Sequence, residues 1–148
     1  MNSTVVRLHA TCLAVDGNGI LLRGHSGAGK SDLALRLIDG GADLVADDQV
    51  LLAVRDGRLW AAPPPSIAGR LEVRGIGIVA VPFRAEAPVV LVVDLVPPES
   101  VERLPEPRSC RIGGIGIPLI ALTPFEVSAA AKVRLALRRP GGIAPGPG

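Results

Sequence analysis

The chain has 148 residues and a formal net charge of +2, with 16 basic residues interspersed among 14 acidic ones. This scatter excludes the clustered basic surface that nucleic-acid binding requires, and no apolar stretch is long enough to cross a bilayer. The two cysteines lack CxxC spacing and indicate neither a metal site nor a disulfide scaffold. We therefore expect a soluble, cytoplasmic protein that binds neither nucleic acid nor membranes.

The first predicted elements are a β-hairpin and a helix. Residues 10–15 and 20–23 have strand character and flank an Asp-Gly-Asn-Gly turn, whose residue pairs favour positive φ angles. A glycine-rich loop follows, and residues 30–39 then place apolar side chains on one helical stripe. Gly40 is a plausible C-terminal cap for this helix. The predicted order is strand, glycine loop, helix.

Four strands are predicted in the middle of the chain, and the shortest, at residues 58–61, follows an Arg-Asp-Gly turn. Residues 42–54 predict one strand, interrupted by the acidic pair Asp47 and Asp48. Residues 71–81 alternate and contain glycines, which indicates a strand with a bulge or a close backbone approach. Residues 89–96 are almost wholly apolar, which is typical of a central strand covered on both faces.

A helix and a tail are predicted after a proline-containing loop. Thr123 is placed as the N-cap of the helix, with Pro124 at its first position and Glu126 completing a capping box. Residues 140–148 consist mostly of Pro and Gly and predict a disordered tail. The expected organisation is one domain over residues 1–139, followed by this tail.

The glycine loop carries the clearest chemical signal. It reads GHSGAGKS and satisfies the pattern GxxxxGK[ST] at every fixed position. In such a loop the backbone N–H groups surround a β-phosphate, the lysine reaches the β- and γ-phosphates, and the hydroxyl binds Mg²⁺. We assign nucleotide-phosphate binding to Gly24, His25, Ser26, Gly27, Ala28, Gly29, Lys30 and Ser31. Within this set His25 is interpreted as exposed and variable.

A P-loop kinase also needs a carboxylate for magnesium and a group that activates the nucleophile. Asp94 ends an apolar strand, as the usual Walker B residue does. One of Asp47 and Asp48 can face the phosphates, because neighbours in an extended chain face opposite ways. If both acids lie near the site instead, their mutual repulsion favours a general base over a second metal ligand. Glu72 is a third candidate, although it could equally pair with Arg74 on the same strand face. The residues alone leave this choice open.

Four segments together resemble a known family. They are His9, the loop GHSGAGKSD, LVADD at residues 44–48 and LEVRGIGI at residues 71–78. In order and spacing they resemble the catalytic domain of HPr kinase/phosphorylase, the bacterial serine kinase of the phosphotransferase system. The resemblance implies an α/β P-loop kinase domain of the PEP carboxykinase-like type, with a mixed, mostly β sheet and few helices. It also implies ATP and Mg²⁺ as cofactors, an HPr-like phosphocarrier as substrate, and assembly into a homo-oligomer, a hexamer in the family.

The resemblance assigns the phosphate and metal ligands. Lys30 would contact the phosphates, and Ser31 and Glu72 would hold Mg²⁺. Asp94 then becomes a residue of a core strand and not a Walker B ligand. Asp47 becomes a supporting neighbour.

The resemblance also assigns the groups that act on the substrate. Asp48 would accept the proton of the attacking serine hydroxyl and could return it in a reverse, phosphate-dependent reaction. His9 would help to set the protonation state of that site. Arg103, in VERLP, would stabilise the negative charge on the transferring phosphoryl group.

The C-terminal part departs from the family pattern. The family's glycine-arginine-asparagine segment, associated with dephosphorylation, is replaced here by LTPFEVSAAAKVR, so the kinase direction is better supported than the reverse one.

Two alternative functions stay open. One is a small-molecule P-loop kinase that uses Asp94, and the other is a regulatory module that senses ATP without turnover.

Overall fold

The structure is a computed structural model that describes residues 5–138. They form a nine-stranded mixed β-sheet, a separate two-stranded hairpin and two α-helices. The strands are β1 (Val6–Leu8), β2 (Thr11–Val15), β3 (Asn18–Arg23), β4 (Asp43–Ala46), β5 (Val50–Arg55), β6 (Arg58–Ala62), β7 (Arg70–Val73), β8 (Gly77–Ala80), β9 (Ala87–Leu95), β10 (Arg108–Ile112) and β11 (Ile115–Leu122). The helices are α1 (Lys30–Asp39) and α2 (Ala129–Leu137), with short 3₁₀ segments at Pro65–Ile67 and Pro98–Ser100.

Strand β9 is the centre of the large sheet. The strand order is β1-β5-β6-β9-β3-β2-β4, with β11 also paired to β9 and β10 paired to β11. One edge of β9 pairs in parallel with β3, and its other edge pairs first with β6 and then in parallel with β11. The prediction of a central strand at residues 89–96 is therefore confirmed.

The core lies on both faces of the sheet, because successive side chains of a strand point to opposite faces. Leu91 and Val93 of β9 belong to the apolar cluster that contains Leu33 of α1 and Val133 of α2. Val92, between them, belongs to the cluster on the other face. The two helices thus cover one face, and β9 is buried from both sides.

The elements around the glycine loop are as predicted. β2 and β3 form an antiparallel hairpin that leads into the loop. Helix α1 spans Lys30–Asp39, with Leu33 and Leu37 fully buried and the Gly40 N–H bonded to the Arg36 carbonyl. These elements depend on local patterns, since apolar spacing and the turn residues specify them without distant contacts.

Two predicted strands each divide into two. Residues 42–54 form β4, which pairs with β2, and β5, which pairs with β1 and β6. The chain breaks at Asp48, whose φ of 69° is incompatible with an extended strand. Residues 71–81 are not one bulged strand but the hairpin β7–β8, whose turn contains Gly75 at φ 92°.

The C-terminal prediction is wrong at the start of the helix. Helix α2 begins at Ala129, with Ser128 at the N-cap position. Thr123 is buried, lies well ahead of this helix and does not cap it. The carbonyls of Pro124 and Glu126 accept hydrogen bonds from Arg36 of α1 instead. This tertiary contact outweighs the local capping preference. Strands β10 and β11, at Arg108–Ile112 and Ile115–Leu122, were also not predicted.

No helix within residues 5–138 is long and apolar enough to cross a membrane. The predicted tail at residues 140–148 lies outside the described residues.

The two cysteines are predicted to differ sharply in reactivity. Cys12 is fully buried on β2, and burial raises the pKa of its thiol to about 12. Cys110 on β10 is only partly buried. Because the thiolate is the reactive form, a thiol reagent added to the native protein should label Cys110 and leave Cys12 unmodified until denaturant is added. Cys110→Ser should remove the native reaction, and rapid labelling of that variant would contradict the burial of Cys12.

Candidate active site

The glycine loop lies between the end of β3 at Arg23 and the first residue of α1. Gly29 precedes the helix in a left-handed conformation, at φ 102°, which glycine adopts without strain. Lys30 is 7% exposed, and its Nζ donates to the carbonyl oxygens of Gly24 at 2.6 Å and His25 at 3.0 Å. The lysine amine is therefore held against the loop itself.

Asp47 is the most connected acid of the site. It is 7% exposed and follows β4 directly. Its Oδ1 accepts hydrogen bonds from Ser31 Oγ at 3.0 Å and Thr11 Oγ1 at 3.2 Å, and its Oδ2 accepts one from the Glu72 backbone N–H at 3.1 Å. One carboxylate thus connects β2, the first turn of α1 and β7.

Asp48 is the exposed acid of the pair. Its side chain is 62% exposed, and its Oδ1 lies 2.5 Å from Nε2 of His9. The Thr11 hydroxyl accepts a hydrogen bond from the Asp48 backbone N–H at 3.2 Å, while donating to Asp47. His9 and Asp48, which the family resemblance assigns to one site, are therefore in direct contact.

A cleft of about 450 Å³ lies between the glycine loop and the acids. Lys30 and Ser31 line it together with the acids Asp47, Asp48 and Glu72. The expectation that the adjacent acids would face opposite ways is wrong, because the positive φ of Asp48 removes the extended geometry on which it depended. A second cleft, of about 390 Å³ and lined mostly by apolar residues of β9, β11 and α2, contains no acidic residue.

Some predicted residues lie outside the acidic cleft. Arg103 is exposed in the loop between β9 and β10 and does not line the cleft. His25 is exposed, with Nδ1 at 2.7 Å from the Ser26 carbonyl oxygen. Gly24 and Ala28 belong to the loop without lining the cleft.

Asp94 is engaged by another side chain. Its two carboxylate oxygens accept from Arg23 Nε at 2.7 Å and Nη2 at 3.0 Å, across the paired strands β3 and β9. This bidentate contact raises the pKa of the Arg23 guanidinium. Asp94 does not line the acidic cleft, and its carboxylate is already neutralised by the arginine.

The structure gives one residue a larger place than the family resemblance does and adds two that the sequence does not indicate. The resemblance makes Asp47 only a supporting neighbour of Asp48, yet it is the acid that contacts Ser31. The apolar Leu-Val-Ala run before it was the available signal, since such a run ending in Asp resembles a Walker B strand. Thr11 and Phe125 carried no local signal, because their positions at the site depend on contacts with distant segments.

The fold and site together define an α/β domain in which a P-loop sequence faces an acidic pair. Residues 2–122 match the family model described as HPr Serine kinase C-terminal domain, and the chain belongs to this family. The solved structure of the Hpr(Ser) kinase/phosphatase from Coxiella burnetii is similar, with a TM-score of 0.80 and 31% sequence identity. The similarity covers 90% of this chain and 94% of that chain. The predicted fold class is therefore confirmed.

Curated relatives match the chain over a shorter range. It is 50% identical over 76 residues to the HPr kinase/phosphorylase of Clostridium tetani, which is 51% of this chain and 25% of that protein. It is 43% identical over 75 residues to the HPr kinase/phosphorylase of Streptococcus thermophilus, which is 50% of this chain and 24% of that protein. The chain thus spans about a quarter of the length of the curated relatives it matches.

The buried position of Asp47 predicts that Asp47→Asn destabilises the fold. An amide has one acceptor oxygen where the carboxylate has two, so the two hydroxyls and the Glu72 N–H cannot all donate to it. We expect the free energy of unfolding, measured in urea, to fall by about 1–3 kcal/mol. Asp48→Asn is the matched control and should change it far less, because that carboxylate is mostly exposed. Equal effects of the two variants would contradict the connecting role of Asp47.

Proposed function

We propose that this chain is an ATP-dependent protein serine kinase that phosphorylates HPr or a related phosphocarrier. The observation that carries the proposal is the cleft in which the P-loop residues Lys30 and Ser31 face the exposed acid Asp48. Family membership, and relatives named as HPr kinases, support the same activity. The serine is the nucleophile, and the γ-phosphoryl group of ATP is the group transferred.

The glycine loop would bind the phosphates. Its backbone N–H groups and the start of α1 offer donors and the positive end of a helix dipole to an anion. Lys30 is already at the loop, where it donates to two carbonyl oxygens. A phosphate oxygen would replace these neutral acceptors with a charged one, which forms a stronger hydrogen bond.

The oxygen donors beside the loop fit Mg²⁺, a hard cation that prefers hydroxyl, carboxylate and phosphate oxygens. Ser31 and Asp47 are in hydrogen-bond contact, and Glu72 lies on the same cleft through β7. We assign the metal to Ser31 and Glu72 and add Asp47 to this set. When bound, the metal neutralises charge on the β- and γ-phosphate oxygens.

Asp48 would act as the general base. His9 Nε2 contacts one of its oxygens, which leaves Oδ2 to accept the proton of the substrate serine. As the serine Oγ bonds to the γ-phosphorus, the bond from this phosphorus to the β–γ bridging oxygen breaks and ADP leaves. His9 is a positioning residue that orients Asp48 and stabilises its charge. Arg103 does not line the cleft, and its contact with the transferring phosphoryl group stays a prediction.

The first test is direct transfer. The chain is incubated with labelled ATP, Mg²⁺ and HPr-like proteins, and the products are analysed by mass spectrometry. We expect one added phosphoryl group on a serine of the phosphocarrier. Binding of ATP with no labelled protein would contradict the proposal and favour a nucleotide-sensing module.

Substitution of the three candidate acids separates a protein kinase of this type from a small-molecule P-loop kinase that uses Asp94. Asp48→Asn should lower the transfer rate by about 10²–10⁴-fold, the usual contribution of a general base. Glu72→Gln should also lower it, with a stronger dependence on Mg²⁺ concentration. Asp94→Asn should retain most activity, because that residue pairs with Arg23 outside the cleft. Loss of transfer in Asp94→Asn alone would refute the assignment.

A further inference from the structure

Phe125 is an aromatic side chain at the P-loop cleft that the proposed mechanism does not use. Its side chain is 69% exposed, although it lines the cleft together with Lys30 and Ser31. The chain contains only three aromatic residues. The other two, Trp60 and Phe83, do not line this cleft. A large apolar ring that remains exposed inside a polar cleft is suited to contact a ligand.

The segment that carries Phe125 is held against helix α1. The Arg36 guanidinium donates to the carbonyl oxygens on both sides of the phenylalanine, that of Pro124 and that of Glu126, the latter at 3.1 Å. It also donates to Asp32 at 2.9 Å, one turn earlier in the helix. The backbone on either side of Phe125 is therefore held in place, while the residue itself remains mostly exposed. The same contacts prevent this segment from starting helix α2.

The ring lies directly on the phosphate loop. A Cβ added at Gly29 would come within 2.9 Å of Phe125 Cζ and of Pro124 Cγ. Gly29 is the residue just before α1, so the ring adjoins the amides that would bind phosphate. The absence of a side chain at Gly29 is what permits this approach.

The side chains around the start of α1 indicate which part of a bound nucleotide the ring can contact. Ser31 bonds to Asp47, whereas Asp32 bonds to Arg36, which in turn donates to the segment of Phe125. Ser31 and Asp32 are successive residues and lie about 100° apart around the helix. The metal and the attacking serine would occupy the side with the acids, at the β- and γ-phosphates. The α-phosphate and the nucleoside would then extend toward the opposite side of the cleft, where Phe125 lies.

We propose that the ring of Phe125 packs against the base of the bound nucleotide and forms an aromatic wall of the nucleoside subsite. This inference rests on the proposed function, because it requires the cleft to hold a nucleoside triphosphate. Aromatic rings stack on any base, since every base has a π face. Contact with the protein substrate is less favoured, because the ring lies against Gly29 and not beside Asp48.

Calorimetric titration with ATP and with inorganic tripolyphosphate tests the inference, since the second ligand has the phosphates and no base. In Phe125→Ala we expect the affinity for ATP to fall about ten- to a hundredfold, the usual effect of losing one stacking contact. The affinity for tripolyphosphate should remain that of the wild type, and Phe125→Tyr should restore ATP binding. Val127→Ala is the matched control, because this neighbouring apolar residue is fully exposed and does not line the cleft.

Each other outcome has a distinct meaning. An equal loss for both ligands in Phe125→Ala would overturn the inference, because the ring would then support the phosphate loop and not the base. Unchanged ATP affinity with a raised KM for the phosphocarrier would also overturn it and identify a protein contact. A wild-type chain that binds neither ATP nor tripolyphosphate would refute the proposed function itself. The melting temperature of each variant verifies that it is folded.

Discussion

The site is organised around the buried carboxylate of Asp47. Burying a charged group is costly unless hydrogen bonds replace the lost water, and Asp47 receives three, from Thr11, Ser31 and the Glu72 backbone. These partners belong to β2, the start of α1 and β7. The carboxylate therefore connects the hairpin β7–β8 to the first turn of α1 beside the glycine loop.

The two neighbouring acids differ in burial because the backbone turns at Asp48. Asp48 adopts a left-handed conformation, which Asp tolerates better than most residues. This turn leaves Asp47 buried and Asp48 exposed beside His9, although both acids line the same cleft. In the proposed mechanism, Asp47 would stabilise the structure and the metal while Asp48 would remain accessible to the substrate hydroxyl.

Local patterns in the sequence were sufficient for β2, β3 and α1, where turn glycines and apolar spacing specify the structure. The contacts of Asp47 could not be predicted, because its partners Thr11, Ser31 and Glu72 are far apart in the chain. Tertiary contacts also reversed one strong local signal, since Arg36 holds residues 124–126 that a capping box would place in a helix. The alternating apolar and polar pattern of residues 71–81 predicts the extended backbone of β7 and β8 but does not predict the turn between them.

The position of β9 has a consequence for synthesis on the ribosome. β3, the strand that leads into the phosphate loop, pairs with β2 on one side and with β9 on the other, and β9 ends only at Leu95. A nascent chain therefore carries the loop with one open strand edge for some seventy residues of elongation. Unpaired edges of this kind are templates for wrong pairing. The glycine loop, although it lies early in the chain, reaches its final structure late, once β9 has emerged.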